Sequence, residues 1–89
     1  MTMQMICHYE VTDFATWQTA FSADDEARRD AGLGVLQIWR DADSTTHAFV
    51  LLSVNDRPRA EQWITRSNAL SSDDASTVTH ASHFFIETA

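Results

Sequence analysis

The chain has 89 residues, enough for one domain (1–89) with no room for a second. Thirteen acidic against six basic side chains give a formal net charge of −7, which repels phosphate backbones and anionic lipid and argues against nucleic-acid and membrane partners. Cys7 is the only cysteine, so there is no disulfide framework and no redox pair, as suits a reducing compartment.

Met3 to Val11 reads as a strand. Both alternating sets, Met3, Met5, Cys7, Tyr9 and Gln4, Ile6, His8, Glu10, contain bulky residues, which predicts a central strand covered on two faces. Asp13 is an N-cap for a helix reaching about Ala31. Phe14, Trp17, Ala20, Phe21, Ala27 and Ala31 follow helical spacing and mark its buried face. Asp24 with Arg28, and Asp25 with Arg29, are expected i,i+4 ion pairs. Gly32-Leu33-Gly34 stops the helix, Gly32 being the natural left-handed cap.

Val35 to Arg40 is the second predicted strand, and Asp41 to Thr46 a polar turn of hairpin length. His47 to Val54 is the third strand, again apolar on both faces. Asp56 caps a second helix with Pro58, the only proline, in its first turn, where a missing N–H is tolerated. Ala60, Trp63, Ile64, Ser67 and Leu70 form its inner stripe, and Ser71 to Ser76 a polar loop. Val78 to Glu87 is the last strand. Val11-Thr-Asp13 and Val54-Asn-Asp56 repeat one transition: each closes a strand and opens a helix that carries a tryptophan, Trp17 or Trp63.

The order β-α-β-β-α-β puts two helices on one face of a four-stranded antiparallel sheet, an α+β domain. The other face is left bare although its strands are apolar, and three Trp and five Phe are a heavy load for so small an interior. A second copy of the sheet is the simplest cover, so a homodimer through sheet faces is expected. The N-terminal residues lack the basic start and long apolar core of a signal peptide, and no apolar run approaches the ~20 residues of a membrane span. The expected location is the cytoplasm.

The residues resemble a known group, the dimeric α+β barrel superfamily and its small antibiotic biosynthesis monooxygenase-like and cyclase-like bacterial members of unknown function. The likeness rests on Val11, Asp13, Phe14, Trp17 and Phe21, then Arg28 and Gly32, then Arg40 and Asp43. It continues with Val50, Leu51, Leu52, Asp56, Ala60 and Trp63, then Ser67 and Leu70, then Phe84, Phe85 and Glu87. It spans nearly the whole chain. It implies a ferredoxin-like subunit, a dimer joined through its sheets, and a cleft between sheet and helices. In relatives that cleft can hold a polycyclic aromatic, a haem or a small metabolite.

Four histidines invite a metal reading, but His80-x-x-His83 lies in a strand, where residues three apart face opposite ways, and Cys7-His8 has the same defect. No metal is expected. His8 on the first strand and His83 on the last are the catalytic candidates, since the two strands are neighbours and imidazole suits proton transfer near neutral pH. The alternative is that each is only hydrogen-bonded at a sheet edge or dimer seam. Tyr9, Trp17, Phe21, Arg40 and Trp63 are ligand-binding candidates. The aromatic residues are equally explained as core, and Arg40 by a pair with Asp41 or Asp43. Two functions follow. One is a cofactor-independent monooxygenase- or cyclase-like enzyme acting on a small aromatic metabolite. The other is a non-catalytic dimer that binds a small ligand or serves as an assembly module. RNA-recognition modules share this element order, but the chain lacks their basic, aromatic strand pattern.

Overall fold

The structure, a computed structural model, describes residues 3–71 and 77–88, apart from the side chains of 68–71. Its elements are β1 (Met3–Val11), α1 (Phe14–Ala23), α2 (Asp25–Asp30), β2 (Leu33–Arg40), β3 (His47–Val54), α3 (Arg57–Ser71) and β4 (Val78–Glu87). The strands form one antiparallel sheet in the order β2-β3-β1-β4, so the first and third strands are central. The expected polar loop at 72–76 and the inner position of Leu70 lie outside the described residues.

Alternation along β1 decides which side is the core. Met5, Cys7, Tyr9 and Val11 are buried beneath the helices with Trp17, Phe21 and Trp63. Ala48, Val50 and Leu52 of β3 join them. In register, Cys7 lies opposite Val50 on one side and His83 on the other, so these three share the helix-covered face. Ile6, His8, Trp39, Phe49, Leu51, Phe84 and Ile86 take the opposite parity and share the open face. Ile6, Trp39 and Phe84 stand 37%, 46% and 58% exposed there. This is the bare apolar face that the sequence pattern predicts.

The expected single helix over 13–31 is two helices. Asp24 sits at φ −94°, ψ 14°, and its N–H reaches back to the carbonyls of Phe21 and Ser22. The tightened turn ends α1, and α2 restarts with Asp25 and Glu26 in its first turn, where the N-terminal dipole favours acids. The break changes the ion pairing. Asp25 binds Arg29 at 2.7 Å as expected, but the expected Asp24–Arg28 pair is not formed. Ala20 is exposed and Ala27 only half-buried, against the expected inner stripe. Gly32 has φ +74° and closes α2 in the left-handed conformation anticipated for it. β2 begins at Leu33, two residues earlier than expected, because Leu33 and Gly34 pair with Val54 and Ser53.

The repeated strand-to-helix transition is built alike in both copies. Asp13 Oδ2 accepts from the Thr16 N–H at 3.2 Å, and Asp56 Oδ1 from the Arg59 N–H at 3.1 Å. Each cap satisfies one backbone donor that the helix start would otherwise leave unpaired. Replacing either Asp13 or Asp56 with alanine is expected to cost about 1 kcal/mol, and the two changes to add. Urea unfolding of the single and double variants measures both quantities.

Candidate active site

Tyr9 projects from β1 into the space under α1 and is 3% exposed. Its ring centroid lies 5.6 Å from Trp17 and 6.4 Å from Phe21, which are one helical turn apart on α1 and 4.8 Å from each other. His83 of β4 meets the Tyr9 ring edge-on at 5.6 Å and the Trp63 ring of α3 at 6.0 Å. The two capped helices therefore each bring a tryptophan to the same place. Both tryptophans are buried, yet they do not fill the space. A cavity of about 320 Å³ remains, lined by Tyr9, Trp17, Phe21, Arg28, Trp63 and Ser67 among others. That volume lies at the small end for ligand pockets.

The Tyr9 hydroxyl faces Nε2 of His83 at 3.4 Å. Burial raises the Tyr9 phenol well above its ordinary acidity range, with the neighbouring Cys7 adding to the shift. Burial also lowers the His83 imidazole from its ordinary value of 6.5. At neutral pH the pair is thus a phenol beside a neutral imidazole, one able to give and the other to accept a proton. Cys7, behind Tyr9 on the same strand, is fully buried, and its thiol is pushed up to about 12 by burial. It carries no thiolate for nucleophilic chemistry.

The remaining candidates from the sequence do not gather here. His8 lies on the other face of the sheet, stacked on Phe49 at 4.8 Å and His47 at 5.3 Å. Its Nε2 shares a hydrogen bond with His47 Nδ1 at 3.1 Å. His8 and His83 come from adjacent strands but opposite parities, so the sheet separates them. His80 pairs with Glu10 in the register that puts it opposite to His83, as strand alternation requires. Among the described residues no three His, Cys, Asp or Glu side chains converge as metal ligands. Arg40 is exposed at the end of β2, beside the hairpin residues Asp43 to Thr45 and away from the aromatic cavity. No helix among the described residues is long and apolar enough to cross a membrane.

One site residue escaped the sequence reading. Arg28, expected to pair with Asp24, is 2% exposed and lines the cavity, with its Cζ 3.6 Å from the centroid of the Phe21 ring. Phe21 and Arg28 are seven residues apart, which in an unbroken helix would be two turns on one face; here they meet across the break between α1 and α2. The i,i+4 acid at Asp24 concealed it by offering a surface explanation.

No family model matches the chain, and no curated protein matches it. Solved structures do. SnoaB, a cofactor-independent oxygenase from Streptomyces nogalater, superposes with a TM-score of 0.69 at 12% identity over 98% of this chain and 92% of that one. A MhuD variant with two manganese protoporphyrin IX molecules bound per active site gives 0.64 at 19% identity, over 97% and 93%. A nipsnap family protein of unknown function from Agrobacterium tumefaciens gives 0.63 at 9% identity, over 99% and 88%. The chain shares the ferredoxin-like fold of these structures. At these identities the likeness concerns the fold; the site must be argued from its own residues.

The depressed imidazole has a thermodynamic consequence. Above about pH 6.5 His83 is neutral both folded and unfolded; below it, the unfolded chain binds the proton first, so stability falls as pH falls toward the folded value. Replacing His83 with glutamine is expected to reduce the loss of melting temperature between about pH 7.5 and about pH 5. Thermal unfolding of both proteins across that range reads the difference directly, and parallel curves would contradict it.

Proposed function

We propose that this chain is a cofactor-independent oxygenase-type enzyme acting on a small hydroxylated aromatic held between helices and sheet. The observation that carries the reading is the Tyr9–His83 pair at an aromatic-walled cavity of about 320 Å³. Trp17, Phe21 and Trp63 supply flat apolar walls for a ring and keep water from it. A substrate hydroxyl at Tyr9 donates to its oxygen while the Tyr9 proton passes to the lone pair of His83 Nε2. The product of that transfer is an electron-rich phenolate, the form of an aromatic most readily oxidised by dissolved oxygen. Tyr9 cannot act alone as base, since its own acidity is suppressed by burial; the neutral imidazole behind it is the acceptor. The fold shared with an oxygenase such as SnoaB supports the assignment.

Oxygen uptake with a panel of naphthols and naphthohydroquinones tests it. Changing Tyr9 to phenylalanine or His83 to glutamine is expected to lower turnover by about 10²-fold, the usual scale of acid–base catalysis, while both variants still bind the ring. Turnover unchanged in both variants would remove the Tyr9–His83 pair from the chemistry, and no turnover by the parent protein with ligand bound would favour a non-catalytic binding protein.

The functional unit in this reading is a homodimer. Ile6, Trp39, Phe49, Leu51, Phe84 and Ile86 make an apolar surface on the open sheet face, and Phe84, on the edge strand β4, is 58% exposed. A self-complementary sheet-to-sheet contact covers it without exposing a new edge. Sedimentation at micromolar concentration is expected to give a dimer for the parent chain and a monomer for Phe84→Asp. A folded, monodisperse parent monomer would refute the arrangement.

A further inference from the structure

One buried charge lacks the partner that burial ordinarily demands. Arg28 is 98% removed from solvent by its 2% exposure, and its Nε has no hydrogen-bond partner. The guanidinium makes no hydrogen bond among the described residues. Its nearest carboxylate, Asp25 Oδ1, is 3.8 Å from Nη2, beyond hydrogen-bond reach. The other oxygen of Asp25 is already engaged by Arg29 at 2.7 Å. Buried cations are otherwise paired and hydrogen-bonded, because an unanswered one costs far more than its pair would contribute. The cation is nevertheless held in place, with its Cζ 3.6 Å from the centroid of the Phe21 ring.

We propose that Arg28 receives the carboxylate of a planar aromatic monoacid whose ring lies against Tyr9, Trp17 and Trp63; this rests on the ligand cavity proposed above and names the class of its occupant. Arg28 lines that cavity together with all three aromatic residues, so charge and ring platform belong to one space. A guanidinium presents planar N–H forks that match a carboxylate in two parallel hydrogen bonds, which a point-charge lysine does not. The contact with the Phe21 ring holds the cation in place before the ligand arrives, which limits the freedom lost on binding. Asp24 also lines the cavity, and the chain carries a net charge of −7. Both disfavour a second negative charge on the ligand, which selects a monoacid over a diacid or a phosphate ester.

Calorimetric titration of the full chain at neutral pH with 2-naphthoate, 2-naphthamide and naphthalene-2,6-dicarboxylate tests this. The monoacid is expected to bind at least ~10-fold more tightly than the isosteric amide, and more tightly than the diacid, since a charge-assisted pair replaces a neutral contact. Arg28→Met is expected to bind acid and amide alike, and Arg28→Lys to retain only part of the preference. Arg28→Met without ligand is expected to melt no lower than the parent, because the change removes an unanswered charge; should it fail to fold, the lysine variant and the acid–amide ratio on the parent chain decide. Equal affinity for acid and amide overturns the proposal and leaves the cavity reading standing. Binding of neither overturns both. Tight, Arg28-dependent binding of the acid, with no oxygen uptake from the naphthol and naphthohydroquinone panel, upholds the anion site and removes the oxygenase.

Discussion

Everything in this molecule depends on the twofold alternation of its two central strands. β1 and β3 carry large apolar side chains on both faces, so neither side can be given up to water without cost. The chain covers the side of Met5, Cys7 and Tyr9 with its own helices and leaves the side of Ile6, Phe49 and Phe84 to something else. The same parity rule sorts the polar residues. His83 and Tyr9 meet under the helices, and His8 and His47 meet on the open face. A slip of one residue between β1 and β4 would turn His83 to the open face and remove the candidate site altogether.

Much of this was legible in the residues. Strands β1, β3 and β4 begin and end where alternation and turn residues place them, because those signals are local. The two aspartate caps and the positive φ of Gly32 are also local, each being a demand of one backbone position. Two kinds of feature were not legible. The break at Asp24 is hidden because helical spacing runs unbroken through residues 21–31, and only the turn geometry shows that the axis restarts. Which strand face looks inward is also hidden. With bulky residues at both parities of β1, His8 and His83 can be assigned to one cleft until the register opposite Cys7 separates them. Gly34 misled for a third reason: it reads as a terminator but lies inside β2, against Ser53.

The candidate site joins stiffness with unmet polarity. Its walls are rings held against rings, with Trp17 and Phe21 on one helix and Trp63 brought by the other. Its polar groups are the Tyr9 phenol and the Arg28 guanidinium together with Asp24, Ser67 and Thr77, and the neutral imidazole of His83 lies behind the phenol. Natural cores seldom bury a guanidinium without a full set of acceptors, and when they do the exception tends to mark work done there. At 12% and 19% identity the likeness to solved structures concerns the fold, and the side chains that line this space are the chain's own.

Cys7 offers a practical dividend of the same burial. The lone thiol is fully enclosed in the centre of the sheet, and burial pushes its pKa up to about 12. Alkylating reagents cannot touch it while β1 is paired on both sides. Its labelling rate therefore clocks how often the middle of the sheet comes apart, a native gauge of breathing motions that needs no engineered reporter.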